Sequence, residues 1–584
     1  MTTRATLWFS LGAAASAALA ALILVMLLGR TTTAPSELPD GEFARAVDLT
    51  PLDRAAVLAS GRIKSYDSFA SEMLSLVGGR NRLRGLPPDF AYLDLMFRPA
   101  VYADAPIIFV KNPNVREQII AALADDSGGE PLLTEDAKSL LRSKGLVTQS
   151  VARSSQVEEL LQRLSMDVVR TAKVVDAIRT ALTLTDPRVL REQLRMIPPP
   201  SGRADERWTA VSSIWGSDFL AGPDGDVALP GVDPALVTEM RVAWSALAKS
   251  WQAQDAAGVN TAILQLAGLF PKVSPGLYPD QGRMLLESWY FKAMHMTWIW
   301  VIYLLSVALL LMAVVYRWDR ARWLGAGAFT VALALHTVAL GWRWYAAGRW
   351  PNSNMFEAVT TSVWLGTLVV VAIELWARRT PMRNIFMLGG AGASMCAMMA
   401  AHYVPELNAS INNMMPVLHD LWLYIHTNVI IASYALIAMA AVTALLYLGY
   451  RAVGGEATYA RVGGAAALLE VESSDPALRP RRSPGEVFDG ATMVLMELSF
   501  VMLWAGIVMG AIWADHSWGR PWGWDPKEVF ALNTFIVFLV LVHIRLKARD
   551  KGLWTAVLAV IGCGVMLFNW IVINFIISGL HSYA

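Results

Sequence analysis

The segment WADHSWGRPWGWDPKEVFALNTF runs from Trp513 to Phe535 and decides how the chain is read. Its first twelve residues hold four tryptophans, and Asp525-Pro526-Lys527-Glu528 then leads into an apolar run. Trp and Tyr favour the boundary between membrane and water. Asp525 suits a helix N-cap, Pro526 the first helical position, and Glu528 completes a D-x-x-E capping box. A helix start therefore accounts for Asp, Pro and Glu. It does not account for Trp518, Gly519, Trp522, Gly523 and Trp524 standing so close together. Glycines between indoles let backbone and rings lie against a flat ligand, and indole faces stack on large planar aromatics. A porphyrin fits that description, and so does a quinone.

The composition around this segment is that of a membrane protein. Of 584 residues, 55% are hydrophobic and only 17% charged, too apolar a balance for an ordinary soluble chain. A net charge of +1 implies no nucleic-acid partner. Cys396 and Cys563 both lie in apolar runs and form no CxxC, so the chain carries no dithiol motif or zinc knuckle of its own.

A span needs about 20 apolar residues. One such run occupies 7–28, and eight more follow at roughly 296–316, 323–342, 358–376, 384–403, 426–449, 491–513, 528–546 and 553–577. The expectation is a mainly α, polytopic helix bundle of about nine spans. Residues 1–29 are read as an uncleaved anchor, since the run exceeds the usual length of a signal h-region. Residues 30–290 are read as a mainly helical extracytoplasmic domain, and 291–584 as the membrane domain with a tryptophan-rich loop over 513–528. Basic residues crowd the loops after the second, fourth, sixth and eighth runs, whereas 404–425 has none. The positive-inside rule then places the N-terminus inside. The large insert, the tryptophan loop and the C-terminus lie outside.

Within the insert, Val157, Leu160, Leu161, Leu164 and Val168 recur at helical spacing, with a capping-box pattern at Ser155 and Glu158. IPPPSGRADERW (197–208) reads as a break between two lobes, and no catalytic constellation stands out. The loop 451–489 reads as a flexible inner linker rich in Gly, Ala and Pro.

Histidines narrow the choice of ligand. His426 opens the sixth span from outside, and His581 lies in the C-terminal GLHSYA, also outside. Two imidazoles flanking a tryptophan loop suggest axial ligation of a haem iron. His543 lies fifteen residues beyond Glu528, roughly 22 Å at helical rise, and belongs to a separate inner site. An ionisable group inside a membrane is a functional hypothesis by default. His336 lies within the third run, and His516 and His419 read as outer-surface residues.

Four stretches carry a resemblance: RWYAAGRWPNSNMFEAVTTSVW, LWLYIHTNVIIASYALI, WGRPWGWDPKEVFALNTF and GLHSYA. Over about 320–584 the chain resembles the cytochrome c biogenesis proteins CcsA and ResC, the haem-handling membrane proteins of the System II pathway. The resemblance implies that haem b is received inside, moved outward and presented to apocytochrome c. It implies that His426 and His581 are the outer iron ligands, that His543 is the inner one, and that Trp518, Trp522 and Trp524 of the tryptophan-rich (WWD) loop hold the macrocycle beside Asp525. His336 is a further candidate for haem contact. Asp525 is assigned helix capping rather than acid–base work, and Arg520 or Lys527 could meet the haem propionates. The expected activity is that of a holocytochrome c synthase, which adds the thiols of a substrate CxxCH to the haem vinyl groups. The expected partners are haem, apocytochrome c, a CcsB/ResB-like subunit completing the inner ligand pair, a thiol-reducing thioredoxin-like protein, and membrane lipid. The expected location is the cytoplasmic (inner) membrane. The competing readings are a haem exporter without ligation activity and a quinone or cytochrome b-type electron-transfer subunit. GRIKSYDSFASEML (61–74) and LYPDQGRMLLESWYF (277–291) resemble the insert of extended, fused-type Ccs proteins. Pro521, where that family often has an aromatic residue, and Asp515-His516 depart from the pattern.

Overall fold

The computed structural model describes residues 41–79, 82–124, 133–167, 171–214, 229–377, 380, 382–404, 407, 409–411, 413, 420–460 and 483–573. The apolar run 7–28, His419, His581 and most of the linker 451–489 lie outside the described residues. The chain divides into two compact units, one within Arg30–Lys292 and one within Ala293–Ala584.

The first unit is mainly helical, with two short antiparallel hairpins. Strand β1 (Ala56–Ala59) pairs with β2 (Arg62–Ser65). They meet at a two-residue turn, Ser60-Gly61, in which both residues have positive φ, as a tight hairpin of native twist requires. Ser65 then caps α1 (Tyr66–Gly78) through its side chain. Helix α2 (Ser155–Ser165) buries Val157, Leu160 and Leu161 as its spacing predicts. The expected capping box does not form: Ser154 is the N-cap without a side-chain bond, and Glu158 pairs instead with Arg179 at 3.0 Å. Nor do two lobes form. Ile197 and Thr209 bridge across the proline-rich stretch, and one apolar core runs from Phe43 to Phe270 on both sides of it. The prolines turn the chain without dividing the core.

The two stretches at 61–74 and 277–291 are brought together. Arg62 makes two bonds to the buried Glu287, at 2.7 and 3.2 Å, and the Ala56 amide donates to the Tyr278 hydroxyl at 2.9 Å. Ser288, on α3 (Gln281–Lys292), donates to Asp67 at 3.2 Å. Asp53, Asp67 and Asp89 bring carboxylate oxygens within 4.8 Å of one another, all buried. The chain supplies their counter-ion itself, because Lys292 Nζ lies 2.6 Å from Asp53 and 4.0 Å from Asp89.

The second unit contains eight helices long and apolar enough to cross a membrane among the described residues. They are α4 (Trp300–Tyr316, with a preceding 3-10 turn), α5 (Asp319–Ala347), α6 (Met355–Ala377), α7 (Ile385–Tyr403), α8 (Leu421–Ala452), α9 (Pro484–Trp518), α10 (Pro526–Lys547) and α11 (Lys551–Phe568). Small residues set their spacing: a Cβ on Gly366 would stand 2.4 Å from that of Ala435, so only glycine lets α6 and α8 approach this closely. Hydroxyl pairs join helices in the apolar interior, Thr367–Ser394 at 2.9 Å and Thr443–Thr492 at 2.8 Å.

Two boundaries differ from the hydropathy reading. Asp420 caps α8 through its carboxylate, so this helix begins earlier and His426 lies in its second turn. Helix α9 has 35 residues, about 52 Å at helical rise, well beyond the ~30 Å of bilayer hydrocarbon. The segment 513–518, read as loop, is the end of that helix, and Gly519 closes it with φ +67°.

The acidic cluster predicts a pH dependence. Burial pushes Asp67 up to about 6, and burial with the neighbouring Asp89 and Asp67 pushes Asp53 up to about 7, from an ordinary value of 3.8. A carboxyl raised on folding stabilises fully below its unfolded pKa and loses that contribution as pH rises through the folded one. The melting temperature of the first unit is expected to fall as pH rises from about 4 to about 7. Asp53→Asn should flatten that slope, as followed by calorimetry on the whole protein.

Candidate functional site

A cavity of about 260 Å³ opens at one end of the bundle. The sides come from the start of α6 and the residues before it, the first turns of α8, the last turns of α9, and the start of α10. Asn569 and Trp570 join from the π-helical turn Asn569–Ile573 that follows α11. Wider turns of this kind occur mostly at functional sites.

His426 is the histidine in that lining. Its Nδ1 lies 2.7 Å from the Gly506 carbonyl oxygen of α9. A carbonyl only accepts, so Nδ1 carries the proton and the lone pair sits on Nε2, the tautomer needed for metal coordination. Gly510, one turn on, makes this approach possible, since a Cβ there would stand 2.6 Å from His426 Cε1. Gly506 and Gly510 form a G-x-x-x-G pair, so the seat for the imidazole is a close helix contact of the small-residue kind.

The tryptophans divide by position. Trp522 lines the cavity, as does the buried Trp513. Trp518 packs edge-on against Trp513 with ring centroids 4.8 Å apart, in a cluster with Leu423 and Trp422. It supports the wall from behind. Trp524 stands against Trp522 at 6.0 Å, is 73% exposed, and has left-handed backbone, φ +55°. A bulky residue in that region is strained.

Asp525 caps α10 in a complete capping box, as its position in the sequence predicts. Glu528 Oε2 accepts from both the Gly523 amide, at 2.8 Å, and the Asp525 amide, at 3.1 Å, which fixes the loop against the helix start. Lys527 and Glu528 face the cavity, and Arg520 is exposed. His516 lies 3.8 Å from Asp420, the cap of the helix bearing His426.

The other histidines lie elsewhere. His543 is exposed on α10, its Nδ1 2.7 Å from the Leu539 carbonyl one turn back. His336 is fully buried between α4 and α5, with Nδ1 3.3 Å from the Tyr303 hydroxyl. It is not in the cavity lining. Not assigned to the site from the sequence were Trp513, Tyr434, Asn569, Trp570 and the stretch Asn352–Met355, all in the lining. The G-x-x-x-G pair was the signal that marks the partner surface of His426.

The second unit is thus a multi-pass membrane helix bundle with an imidazole of fixed tautomer in the lining of an aromatic cavity. A family model described as cytochrome c assembly protein matches residues 352–581. The cytochrome c biogenesis protein CcsA of Parasynechococcus marenigrum is 34% identical over 273 residues, covering 43% of this chain and 84% of its own. CcsA of Synechococcus elongatus is 28% identical over 289 residues, covering 44% and 87%. CcsA of Gloeobacter violaceus is 29% identical over 294 residues, covering 44% and 86%. The chain belongs to the CcsA family.

The capping geometry at Asp525 separates a structural from a charge role. Asp525→Ala is expected to cost about 1 kcal/mol of stability. Asp525→Asn, which keeps the acceptor, should cost much less. Melting midpoints in detergent would show equal losses if the charge, not the cap, mattered.

Proposed function

We propose that this chain takes part in cytochrome c maturation as its haem-handling membrane component, holding haem in the cavity beside His426. The observation that carries the reading is the hydrogen bond from His426 Nδ1 to the Gly506 carbonyl, which puts the proton on Nδ1 and the lone pair on Nε2, the nitrogen that would meet iron. The donor set fits the group: one imidazole of fixed tautomer, the indoles of Trp513, Trp522 and Trp570 in the lining, and Lys527 as a cation for a propionate. His581 is the second outer ligand in this reading, and Trp570, eleven residues before it, lines the same cavity.

Haem supplies two vinyl groups that accept thiols. Each cysteine sulfur of a CxxCH motif bonds to one vinyl carbon, and its proton ends on the neighbouring carbon, with no net oxidation. This chain's contribution is orientation and proximity. His426 sets the direction of iron, Trp522 meets the macrocycle, and the strained, exposed Trp524 offers a ring towards the incoming substrate. Asp525 and Glu528 hold the loop that carries both rings. The activity is that of a holocytochrome c synthase, working with a CcsB/ResB-like subunit. The exposed His543 suits an inner iron site completed by an imidazole of that subunit. A thioredoxin-like protein keeps the substrate thiols reduced. In this reading, which the basic loops and the positive-inside rule support, the cavity lies on the outer side of the cytoplasmic membrane, and the first unit, also outside, docks the apocytochrome or the partner subunit.

The test is a spectrum of the purified protein. His426→Ala is expected to lower bound haem at least tenfold. Gly510→Ala should lower it too, because its methyl group displaces the imidazole. His543→Ala should reduce the haem reaching the outer site while leaving the fold intact. Normal c-type cytochromes in cells lacking this protein would refute the assignment.

A further inference from the structure

The stretch Arg349–Asn354 precedes α6 and does more than connect it to α5. A buried carboxylate, Glu357, organises it. Glu357 Oε1 accepts from Arg343 Nε at 2.9 Å, and Oε2 accepts from Arg349 Nη1 at 2.9 Å and from the Ser353 amide at 2.7 Å. Arg343 and Glu357 are both fully buried. Arg343 also donates to the carbonyls of Ala409 and Ser410, at 2.9 and 3.1 Å. Two arginines and a carboxylate out of water are costly unless they are hydrogen-bonded, and here Glu357 gathers Arg343, Arg349 and Ser353, the last two from the short segment Arg349–Asn354.

That segment ends against the helix that bears His426. Trp350 Nε1 donates to Asn428 Oδ1 at 3.1 Å, and Asn428 Nδ2 donates to the Tyr424 carbonyl at 2.7 Å. Asn352 Nδ2 donates to Thr427 Oγ1 at 3.2 Å. The Thr427 hydroxyl spends its proton on the Leu423 carbonyl at 2.8 Å, so its oxygen can only accept, which fixes the orientation of the Asn352 amide. The two contacts fall on the residues directly after His426, and a rotation or slide of α8 would break both. Opposite them, Gly506 and Gly510 of α9 hold the imidazole itself. Asn352, Ser353 and Asn354 stand in the same cavity lining as His426.

We propose that Arg349–Asn354 is a positioning strap for His426, with Trp350 and Asn352 as the residues that set the direction in which Nε2 meets a metal. This rests on the reading of His426 as an iron ligand. The strap acts through the imidazole and touches no reacting atom. Its function is to keep the ligand aimed when the cavity is filled and emptied.

The test uses the full-length protein purified from membranes, with Trp350→Phe, which keeps an aromatic side chain but removes the indole N–H together with the pyrrole ring, and Asn352→Ala. Bound haem per chain, the reduction potential of that haem and the melting midpoint are measured, each with and without added imidazole. Both variants are expected to melt close to the wild type, to retain about tenfold less haem and to show a shifted potential. Free imidazole should restore haem content, as it should in His426→Gly. Unchanged haem content and potential in both variants would overturn the strap. So would a loss that imidazole does not restore and that follows a lowered melting midpoint, the mark of a purely structural role. A wild-type protein without haem would overturn the reading of His426 itself, and the strap with it.

Discussion

An imidazole can serve as a ligand within a membrane only if something else decides which nitrogen carries its proton. Here that decision rests on one hydrogen bond, from His426 Nδ1 to the Gly506 carbonyl. Gly506 lies inside α9, where its oxygen already belongs to the helix, but a carbonyl has a second lone pair. To reach it, the ring must lie almost on the helix backbone. That is why position 510 tolerates no side chain, and why α8 and α9 must pack closely at this level. The cavity is lined on this side by His426 and Gly510.

Charges inside the bundle follow a second constraint: several are paired, and the buried Glu374 instead accepts from the Asn384 and Met387 amides. At the cavity end, Arg343, Arg349 and Glu357 form a closed cluster. Near the other ends of α9 and α10, Asp489 and Arg545 pair at 2.7 Å, and Arg545 also donates to Thr555 and to the Ala460 carbonyl. Ion pairs of this kind contribute little net stability after desolvation, but breaking one by removing a partner is expensive. They fix helix register at both ends, leaving small residues and hydroxyl pairs to set the packing between them.

The spans were legible because about 20 apolar residues leave a mark that no local context hides. Their ends were less so. Hydropathy could not see α9 continue through Ala514, Asp515 and His516, because a helix that leaves the bilayer needs no apolar residues to persist. Asp420 could have been read as a cap, and doing so would have set His426 one turn deeper. The break at 197–208 was misjudged because prolines report a turn in the chain and nothing about the core on either side. In the site, the Asp525–Glu528 box was legible from spacing alone. The seat of His426 was not, since it joins residues eighty positions apart and depends on glycines that carry no chemistry of their own.

Counting tryptophans overstated the uniformity of the loop. Trp513 and Trp522 face the cavity, Trp518 braces Trp513 from outside, and Trp524 projects to solvent on a strained backbone. The lining rings come from α8 (Tyr434), from α9, from the loop after it and from the turn after α11, so no single segment makes the aromatic wall. A flat ligand gripped by rings on four elements is sensitive to how those elements pack. Glu528, which binds the loop amides and faces the cavity, is where the start of α10 meets that wall. The cluster of indoles before a helix thus has two causes, one in the membrane boundary and one in the cavity, whereas the glycines between them serve the backbone: Gly519 closes α9 and the Gly523 amide binds Glu528.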